Sequence, residues 1–179
     1  MTETEIKLRV AGPGEGREAV SRIGATPKGP RHLEDNILFK DAGGSLGASG
    51  NVLRLRRRDP GAAVLTFKGA RSVVEGVRSR EEIETEVEDA DAAEAILSAL
   101  GFRPAFRYQK YREAFAWRDA EIVVDETPIG TFLEVEGPLA TIHEAARALG
   151  QGPADYITES YAALFIAAGG QGDMVFRPR

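Results

Sequence analysis

The sequence contains no cysteine, only two histidines and a single tryptophan among its 179 residues. Without cysteine, the chain can form no disulfide framework, thiolate metal site, iron–sulfur cluster or cysteine nucleophile. His32 and His143 are not closely spaced, which excludes a histidine-rich zinc site, and we expect both to be surface residues. Any chemistry must therefore depend on carboxylates, lysine, arginine and hydroxyl groups.

Long apolar segments and an excess of positive charge are also absent. No apolar run approaches the roughly 18 residues that a membrane-spanning helix requires, and the first residues include the charged Glu3, Glu5 and Lys7 instead of a basic and then apolar leader. The net charge of -5 argues against a protein that coats nucleic acid. We therefore expect a soluble, cytoplasmic protein with neither a membrane nor nucleic acid as partner.

The length and composition fit a single domain. The 42% apolar content can fill one core, and single cores usually comprise about 100 to 200 residues. We expect the domain to span residues 1–168 and a loose tail to follow over residues 169–179. The 18 arginines, against 5 lysines, suit bidentate contact with phosphate or carboxylate, although high-GC coding produces the same bias.

Alternation of charged and apolar residues is the strongest structural signal. Residues 2–10 alternate strictly, which is typical of a strand with one charged face. Seven further strands are predicted at residues 37–40, 51–58, 63–68, 78–88, 105–118, 122–126 and 131–136. Helices are predicted at residues 15–23, 92–100, 140–149 and 157–168. The glycine-rich segments 41–50 and 69–77 are predicted loops.

The charged faces of seven strands carry seven cations and seven carboxylates. The cations are Lys7, Arg9, Arg54, Arg56, Lys68, Lys110 and Arg112, and the carboxylates are Glu3, Glu5, Glu82, Glu84, Asp125, Glu134 and Glu136. These could be the solvated faces of a β-sandwich, which is the usual reading of alternating strands. Alternatively, the sheet closes into a barrel with the charges inside and helices covering its apolar exterior.

Three observations favour the barrel. The predicted helices carry apolar stripes that need a sheet face to cover, whereas a sandwich leaves them no partner. The charged faces consist almost entirely of Glu, Arg and Lys, without the Ser, Thr, Gln and Asn of ordinary solvated faces. Glu-x-Glu recurs on three strands and paired cations on two, and residues two apart lie on one face about 6.5 to 7 Å apart. That spacing suits carboxylates on metal ions and cations on successive phosphates.

The charges also constrain what such a barrel contains. Removing an ion from water costs several kcal/mol even after relaxation, so the interior must be wide and wet. A polyanion with divalent cations would use both signs at once. At about 4 Å and an effective dielectric near 20, each close charge pair contributes roughly 4 kcal/mol before desolvation.

These motifs resemble those of the CYTH superfamily, the triphosphate tunnel metalloenzymes that include class IV adenylate cyclases and thiamine or inorganic triphosphatases. Glu3-Thr4-Glu5-Ile6-Lys7 resembles the N-terminal signature of that family. The other matching segments follow in order between residues 2 and 165: Leu53–Arg56, Thr66–Lys68, Glu82–Glu84, Lys110–Arg112, Asp125, Gly130–Glu136 and Ser160–Leu164. The resemblance is closest to class IV adenylate cyclase-type bacterial members.

The resemblance implies an α+β fold, with an antiparallel eight-stranded closed β-barrel that forms a charged tunnel and helices packed outside. It implies that Glu3, Glu5, Glu134 and Glu136 act on Mg²⁺ or Mn²⁺, helped by Glu82, Glu84 and Asp125. It also implies that the triphosphate is held by Lys7, Arg54, Arg56, Lys68, Lys110 and Arg112, with catalytic roles for Lys7, Arg56, Lys68 and Arg112. Arg9 would contact substrate or form a salt bridge at the rim. Leu38 stands where many family triphosphatases carry a tyrosine, so that hydroxyl has no counterpart here.

Three functions remain open at this point. In a cyclase, the ribose 3′-hydroxyl of ATP attacks the α-phosphorus and pyrophosphate leaves; in a triphosphatase, water attacks the terminal phosphorus. The resemblance slightly favours the cyclase. The third function is non-catalytic binding of a nucleotide or polyphosphate, which the many carboxylates disfavour. The implied partner is ATP, thiamine triphosphate or inorganic triphosphate, and a homodimer is compatible with the sequence.

Overall fold

Eight antiparallel strands close into a barrel in the computed structural model, which describes residues 2–177 apart from the side chain of Val74. Numbered in chain order, the strands are β1 (Thr2–Val10), β2 (Thr26–Pro27), β3 (His32–Lys40), β4 (Val52–Asp59), β5 (Ala63–Lys68), β6 (Ser72–Val74), β7 (Val77–Val87), β8 (Arg103–Trp117), β9 (Ala120–Thr127) and β10 (Gly130–Glu136). The wall follows the order β1-β10-β9-β8-β3-β4-β5-β7, and β7 pairs with β1 to close it. The short β2 and β6 pair with β8 and β7. The predicted fold class is confirmed.

The barrel places charge inside and apolar side chains outside. On β1, Glu5 and Lys7 face the interior and are 4% and 2% exposed, while Ile6 and Leu8 face outward and are no more exposed. Both faces of the strand are therefore buried. Since side chains alternate along a strand, the two-residue period of the sequence becomes a charged interior and an apolar exterior that helices must cover.

The helices supply that cover. They are α1 (Pro13–Arg22), α2 (Ser45–Ala48), α3 (Ala90–Ala99), α4 (Leu139–Ala148) and α5 (Tyr161–Ala167). Helices α1 and α4 pack on the outer faces of β1, β9 and β10, where Ile142 and Leu133 meet in the largest core cluster. Helix α3 covers β4 through Leu97 and Leu55, and it begins at Asp89, whose side chain accepts hydrogen bonds from two backbone N–H groups of the first turn.

Helix α5 lies across one end of the barrel. Tyr161 packs against the inward-facing Phe132 and Tyr108 and against Met174 of the chain's last segment. The phenol ring also lies 5.3 Å from the ammonium nitrogens of Lys7 and Lys110. This aromatic cluster makes one end of the tunnel apolar and closed, which leaves the charged interior to open at the other end.

The expectation of a loose tail over residues 169–179 is corrected for the residues that the structure describes. Met174 is 1% exposed; its N–H donates to the Arg107 carbonyl and its carbonyl accepts from the Gln109 N–H, both at 2.9 Å. The Phe176 ring lies 5.2 Å from that of Tyr111. The segment docks because Met174 fills the apolar space between α5 and β8. Residues 178 and 179 lie outside the described residues.

Strand β3 begins five residues earlier than predicted, at His32 instead of Ile37. The polar sequence before Ile37 hides the alternation, because Glu34 and Asn36 face the interior and a charged outer residue, Asp35, lies between them. The predicted loops 41–50 and 69–77 contain α2 and β6. Helix α5 starts at Tyr161, four residues later than predicted.

No helix within residues 2–177 has both the length and the hydropathy to cross a bilayer.

Replacing Met174 by alanine should lower the free energy of unfolding by about 2–5 kcal/mol, because removal of the thioether side chain leaves a cavity between α5 and β8. Urea denaturation followed by circular dichroism measures the change. Ile166→Ala is the matched control, since Ile166 is an apolar residue of α5 that is 67% exposed, and it should change stability by no more than about 0.5 kcal/mol. Equal effects of both variants would show that the docked tail does not stabilise the barrel.

Candidate active site

The barrel encloses a cavity of about 780 Å³, within the range of about 300 to 1,000 Å³ that is usual for small-molecule sites. Eight glutamates and nine lysines or arginines line it. Of the predicted metal- and substrate-binding residues, those that line the cavity are Glu3, Glu5, Lys7, Arg54, Arg56, Lys68, Glu82, Glu84, Lys110, Arg112, Glu134 and Glu136. The near balance of the two signs allows so many charges to share one interior.

One group of charges surrounds Lys68. Its ammonium nitrogen donates to both carboxylate oxygens of Glu3, at 2.7 and 2.8 Å, and to Glu82 at 2.8 Å. Arg80 donates to Glu3 at 3.1 Å. Burial and the neighbouring Glu3 carboxylate raise the pKa of Glu82 to about 7, although Lys68 opposes this. Despite its own burial, the pKa of Glu3 is lowered by Lys68 and by a hydrogen bond with Glu82.

A second group lies along β1 and β10, where Lys7 stands directly opposite Glu134. The Lys7 nitrogen is 3.1 Å from Glu134 Oε1 and 3.3 Å from Glu5 Oε1. Glu5 also pairs with Arg78, and Glu134 with Arg112. Although burial opposes it, the three cations around Glu134 hold its pKa well below the usual range. Both carboxylates are therefore paired with cations, and that of Glu134 is held in its ionised form.

A third group is formed by the paired arginines of β4. Arg54 and Arg56 each place a guanidinium nitrogen 3.2 Å from Glu84 Oε1, and the same oxygen accepts a hydrogen bond of 2.7 Å from the Thr66 hydroxyl. Burial opposes the charge on Arg54, but Tyr108 and nearby glutamates raise its pKa. By contrast, burial and the adjacent Arg54 lower the pKa of Arg56 to about 10. Both remain cationic at neutral pH.

Asp125, a predicted helper of metal binding, does not line the cavity. It is fully buried. Its carboxylate accepts four hydrogen bonds of 2.6 to 2.8 Å, from Lys110 Nζ, from Nε and Nη2 of Arg112, and from the Tyr161 hydroxyl. Burial and Asp125 together raise the pKa of Tyr161, which keeps the phenol protonated as a donor. Asp125 thus anchors the basic pair of β8 from behind, because its acceptor positions are already filled.

Two other residues lie away from their expected positions. Arg9 is exposed, donates to the Ile129 carbonyl at 3.3 Å and stacks over Phe132, so it lies at the turn between β9 and β10 and not along the cavity. His32, expected on the surface, lines the cavity with Nε2 3.5 Å from Glu34. That contact raises the pKa of His32. His32 was expected on the surface because the predicted strand began only at Ile37, whereas β3 begins at His32.

Leu38 lines the cavity and packs into the aromatic cluster at its closed end. No hydroxyl is therefore supplied from this position.

Several tunnel residues were not singled out from the sequence. Glu34 and Arg58 lie on β3 and β4, and Arg78 and Arg80 on β7, where they pair with Glu5 and Glu3. Arg58, Arg78 and Arg80 share the parity of the predicted inward residues on their strands, so alternation already places them on the charged faces, although they are not among the predicted site residues. Glu34 gave no comparable signal, because its part of β3 was not recognised.

The carboxylates suit a hard divalent cation. Glu136 stands opposite Glu5 across β1 and β10, and within residues 2–177 no cation lies at salt-bridge distance from it. Partial burial and the nearby Glu3 raise the pKa of Glu136, a repulsion that a bound cation would relieve. No three such side chains in the described part of the chain already converge on one point. Mg²⁺ commonly uses one or two carboxylates together with water and substrate phosphates, so this donor set fits.

Replacing Glu82 by glutamine should stabilise the metal-free protein at pH 8. A raised folded-state pKa means that ionising Glu82 opposes folding above its unfolded pKa near 4.5, and the cost is complete above about 7. We expect a gain of about 1–3 kcal/mol at pH 8 and almost none at pH 4.5. Urea denaturation in EDTA measures it.

The control for Glu82→Gln is Glu86→Gln, an exposed position on the same strand, which should change stability by less than about 0.5 kcal/mol at either pH. A loss of stability in Glu82→Gln at pH 8 would show that the Lys68 ion pair outweighs the repulsion by Glu3.

Comparison with known proteins identifies a family that matches most of this chain. A family model described as the CYTH domain matches residues 1–161. A Methanocaldococcus jannaschii protein, provisionally named an adenylate cyclase, is 29% identical over 150 residues, covering 83% of this chain and 84% of that protein. These findings confirm the resemblance seen in the motifs.

Solved structures share the fold. One from Vibrio parahaemolyticus, provisionally named an adenylate cyclase, is 20% identical, with a TM-score of 0.82 over 93% of this chain and 98% of that one. Another, from Hippeastrum, is described as an adenylyl cyclase candidate with a dominant triphosphatase activity; it is 20% identical, with a TM-score of 0.69 over 94% of this chain and 97% of that one.

Proposed function

We propose, since this chain belongs to the CYTH domain family, that its tunnel binds a triphosphate substrate with Mg²⁺ or Mn²⁺ and cyclises ATP to cyclic AMP and pyrophosphate. The carrying observation is that four carboxylates of the tunnel share one part of its wall and three arginines share the part opposite. Glu3, Glu5, Glu134 and Glu136 lie on β1 and β10, whereas Arg54, Arg56 and Arg58 lie on β4. In the closed order of eight strands, β4 is opposite β10.

The basic wall would hold the phosphates. Arg54 and Arg56, two residues apart on β4, lie at a spacing that lets their guanidinium groups reach successive phosphates. Lys110 and Arg112 on β8 extend this surface, and Asp125 holds both in position. A phosphate oxygen that replaces Glu84 on Arg54 and Arg56 keeps these buried cations paired, so binding exchanges one ion pair for another.

The acidic wall would hold the metal. Glu136 and Glu3 at the open end, with Glu5 and Glu134 deeper along the same strands, are the candidate ligands. When bound, a divalent cation would offset phosphate charge and lower the pKa of the attacking hydroxyl. If Glu3 and Glu134 bound the metal, they would give up their present ion pairs. Lys68, Lys7 and Arg112 would then be available to phosphate oxygens.

Cyclisation requires the 3′-oxygen to bond to the α-phosphorus while the bond to the bridging oxygen of pyrophosphate breaks, with loss of the hydroxyl proton. Lys7, Lys68, Arg56 and Arg112 would stabilise the charge that develops on the leaving pyrophosphate. The cyclase name of the 29% identical relative supports this reaction, as does Leu38, which leaves no hydroxyl at the position where many triphosphatases of the family carry a tyrosine.

Hydrolysis of a triphosphate is the second candidate. It uses the same tunnel, with water attacking the terminal phosphorus, and the dominant triphosphatase activity described for the Hippeastrum protein favours it. Thiamine triphosphate and inorganic triphosphate are then the alternative substrates.

A product assay tests the proposal. With ATP and Mn²⁺, we expect cyclic AMP and pyrophosphate in equal amounts, measured by chromatography and a coupled pyrophosphate assay. Orthophosphate without cyclic AMP would contradict cyclisation and support hydrolysis. Parallel incubations with thiamine triphosphate and inorganic triphosphate would identify the substrate. Binding of a triphosphate without any product would indicate a non-catalytic binding module.

Replacing Glu136 by glutamine should weaken Mn²⁺ binding at least about tenfold without loss of stability, because Glu136 is exposed and neutralises no buried cation. Electron paramagnetic resonance of free Mn²⁺ measures the affinity. The matched control is Glu81→Gln, because Glu81 is also an exposed glutamate but does not line the cavity. Equal weakening in both variants would contradict a specific role for Glu136.

A further inference from the structure

Glu34 is a buried carboxylate at the centre of a cluster of cations. It lies on β3, lines the cavity and is 1% exposed. Four cationic or protonatable groups surround it: Arg56 Nη1 at 3.4 Å, His32 Nε2 at 3.5 Å, Lys110 Nζ at 3.6 Å and Arg58 Nε at 3.9 Å. No other carboxylate of the described tunnel has so many partners at such long distances.

The contacts of Glu34 are long, and the one from Arg56 Nη1 is a hydrogen bond of 3.4 Å. Charge-assisted hydrogen bonds between nitrogen and carboxylate are usually about 2.7 to 2.9 Å long, and every contact of Glu34 is longer. Its Oε2 has no hydrogen-bond partner in the described structure. Asp125, which shares Lys110 with Glu34, instead accepts four bonds of 2.6 to 2.8 Å. Asp125 is therefore an anchor, whereas Glu34 is held loosely by the field of the cations.

Three of the groups around Glu34 belong to the surface that would bind the substrate's phosphates. Arg56 and Lys110 belong to the proposed phosphate-binding wall, and Arg58 extends that wall on β4. A phosphate oxygen that binds Arg56 and Lys110 must therefore approach the position of the Glu34 carboxylate. The two anions compete, and any excess negative charge on the ligand is repelled by Glu34.

We propose that Glu34 is a built-in counter-ion that occupies the phosphate position of the empty tunnel and makes the tunnel select metal-complexed triphosphate over metal-free triphosphate. The inference rests on the proposed function, because it assumes a triphosphate in this tunnel. A metal-free triphosphate carries about four or five negative charges, and each bound divalent cation removes two of them. Repulsion by Glu34 therefore opposes the metal-free ligand more strongly, and the substrate enters together with its metal.

Calorimetric titration with inorganic tripolyphosphate, in EDTA and in Mg²⁺, tests this selectivity. Glu34→Gln should bind metal-free tripolyphosphate at least about tenfold more tightly than the wild type, while its affinity in Mg²⁺ rises by a much smaller factor. The matched control is Asp35→Asn, which removes the same charge from the adjacent residue of β3. Asp35 faces outward and pairs with Arg107 and Gln109, so both affinities should stay at the wild-type value.

Unchanged or weaker metal-free binding by Glu34→Gln would overturn the inference, as would an equal gain in EDTA and in Mg²⁺. If the wild type binds tripolyphosphate in neither buffer, the proposed function and the inference fail together. Intact binding and selectivity without turnover would contradict the proposed reaction alone.

Folding of the variant provides a second measurement. If Glu34→Gln unfolds in dilute buffer and sulfate restores its folded circular dichroism spectrum, an anion has replaced the missing carboxylate, which supports the inference. If neither sulfate nor tripolyphosphate restores folding, Glu34 is a structural residue and the inference is wrong. Glu34→Asp, which keeps the charge, should retain wild-type selectivity.

Discussion

Mutual neutralisation of charges inside the barrel is the constraint on which the rest of the structure depends. Eight glutamates and nine lysines or arginines line one cavity, and each buried ion costs several kcal/mol unless it is paired. Cross-strand pairs such as Lys68 with Glu3 and Lys7 with Glu134 meet this requirement. Because such pairs need partners from neighbouring strands, the charge pattern favours a closed wall, in which every strand has a neighbour on both sides.

The charged interior also determines where the apolar core lies. Side chains that face outward, such as Ile6, Leu8 and Leu133, are almost completely buried, but under helices and not inside the barrel. The protein therefore has its apolar core around the barrel. Only the end covered by α5 departs from this arrangement, since Tyr161 and Phe132 bring aromatic surface inside and close that end.

Alternation made much of the fold and site predictable, because a period of two fixes which residues of a strand share a face. It placed Glu5, Lys7, Arg56 and Glu134 inside. It could not show which charges pair, since the contact of Arg78 with Glu5 depends on the register between β1 and β7. Nor could it distinguish Asp125, buried behind the basic pair, from Glu136 at the mouth, because the same parity places both inward. The docking of Met174 depends on a gap that exists only after α5 and β8 have packed.

A tunnel whose charges are already paired would bind a polyanion by exchange. An empty pocket lined only by cations would attract any polyanion, and its stability would suffer from the repulsion among those cations. Here Glu84 forms ion pairs with Arg54 and Arg56, and Glu3 and Glu82 both pair with Lys68. An incoming phosphate could therefore bind one of these cations only by displacing a carboxylate. A carboxylate that is displaced must find a new positive partner in the same cavity. A ligand that brings divalent cations together with phosphates supplies both partners at once, and that coupling follows from the balanced charge of the tunnel itself.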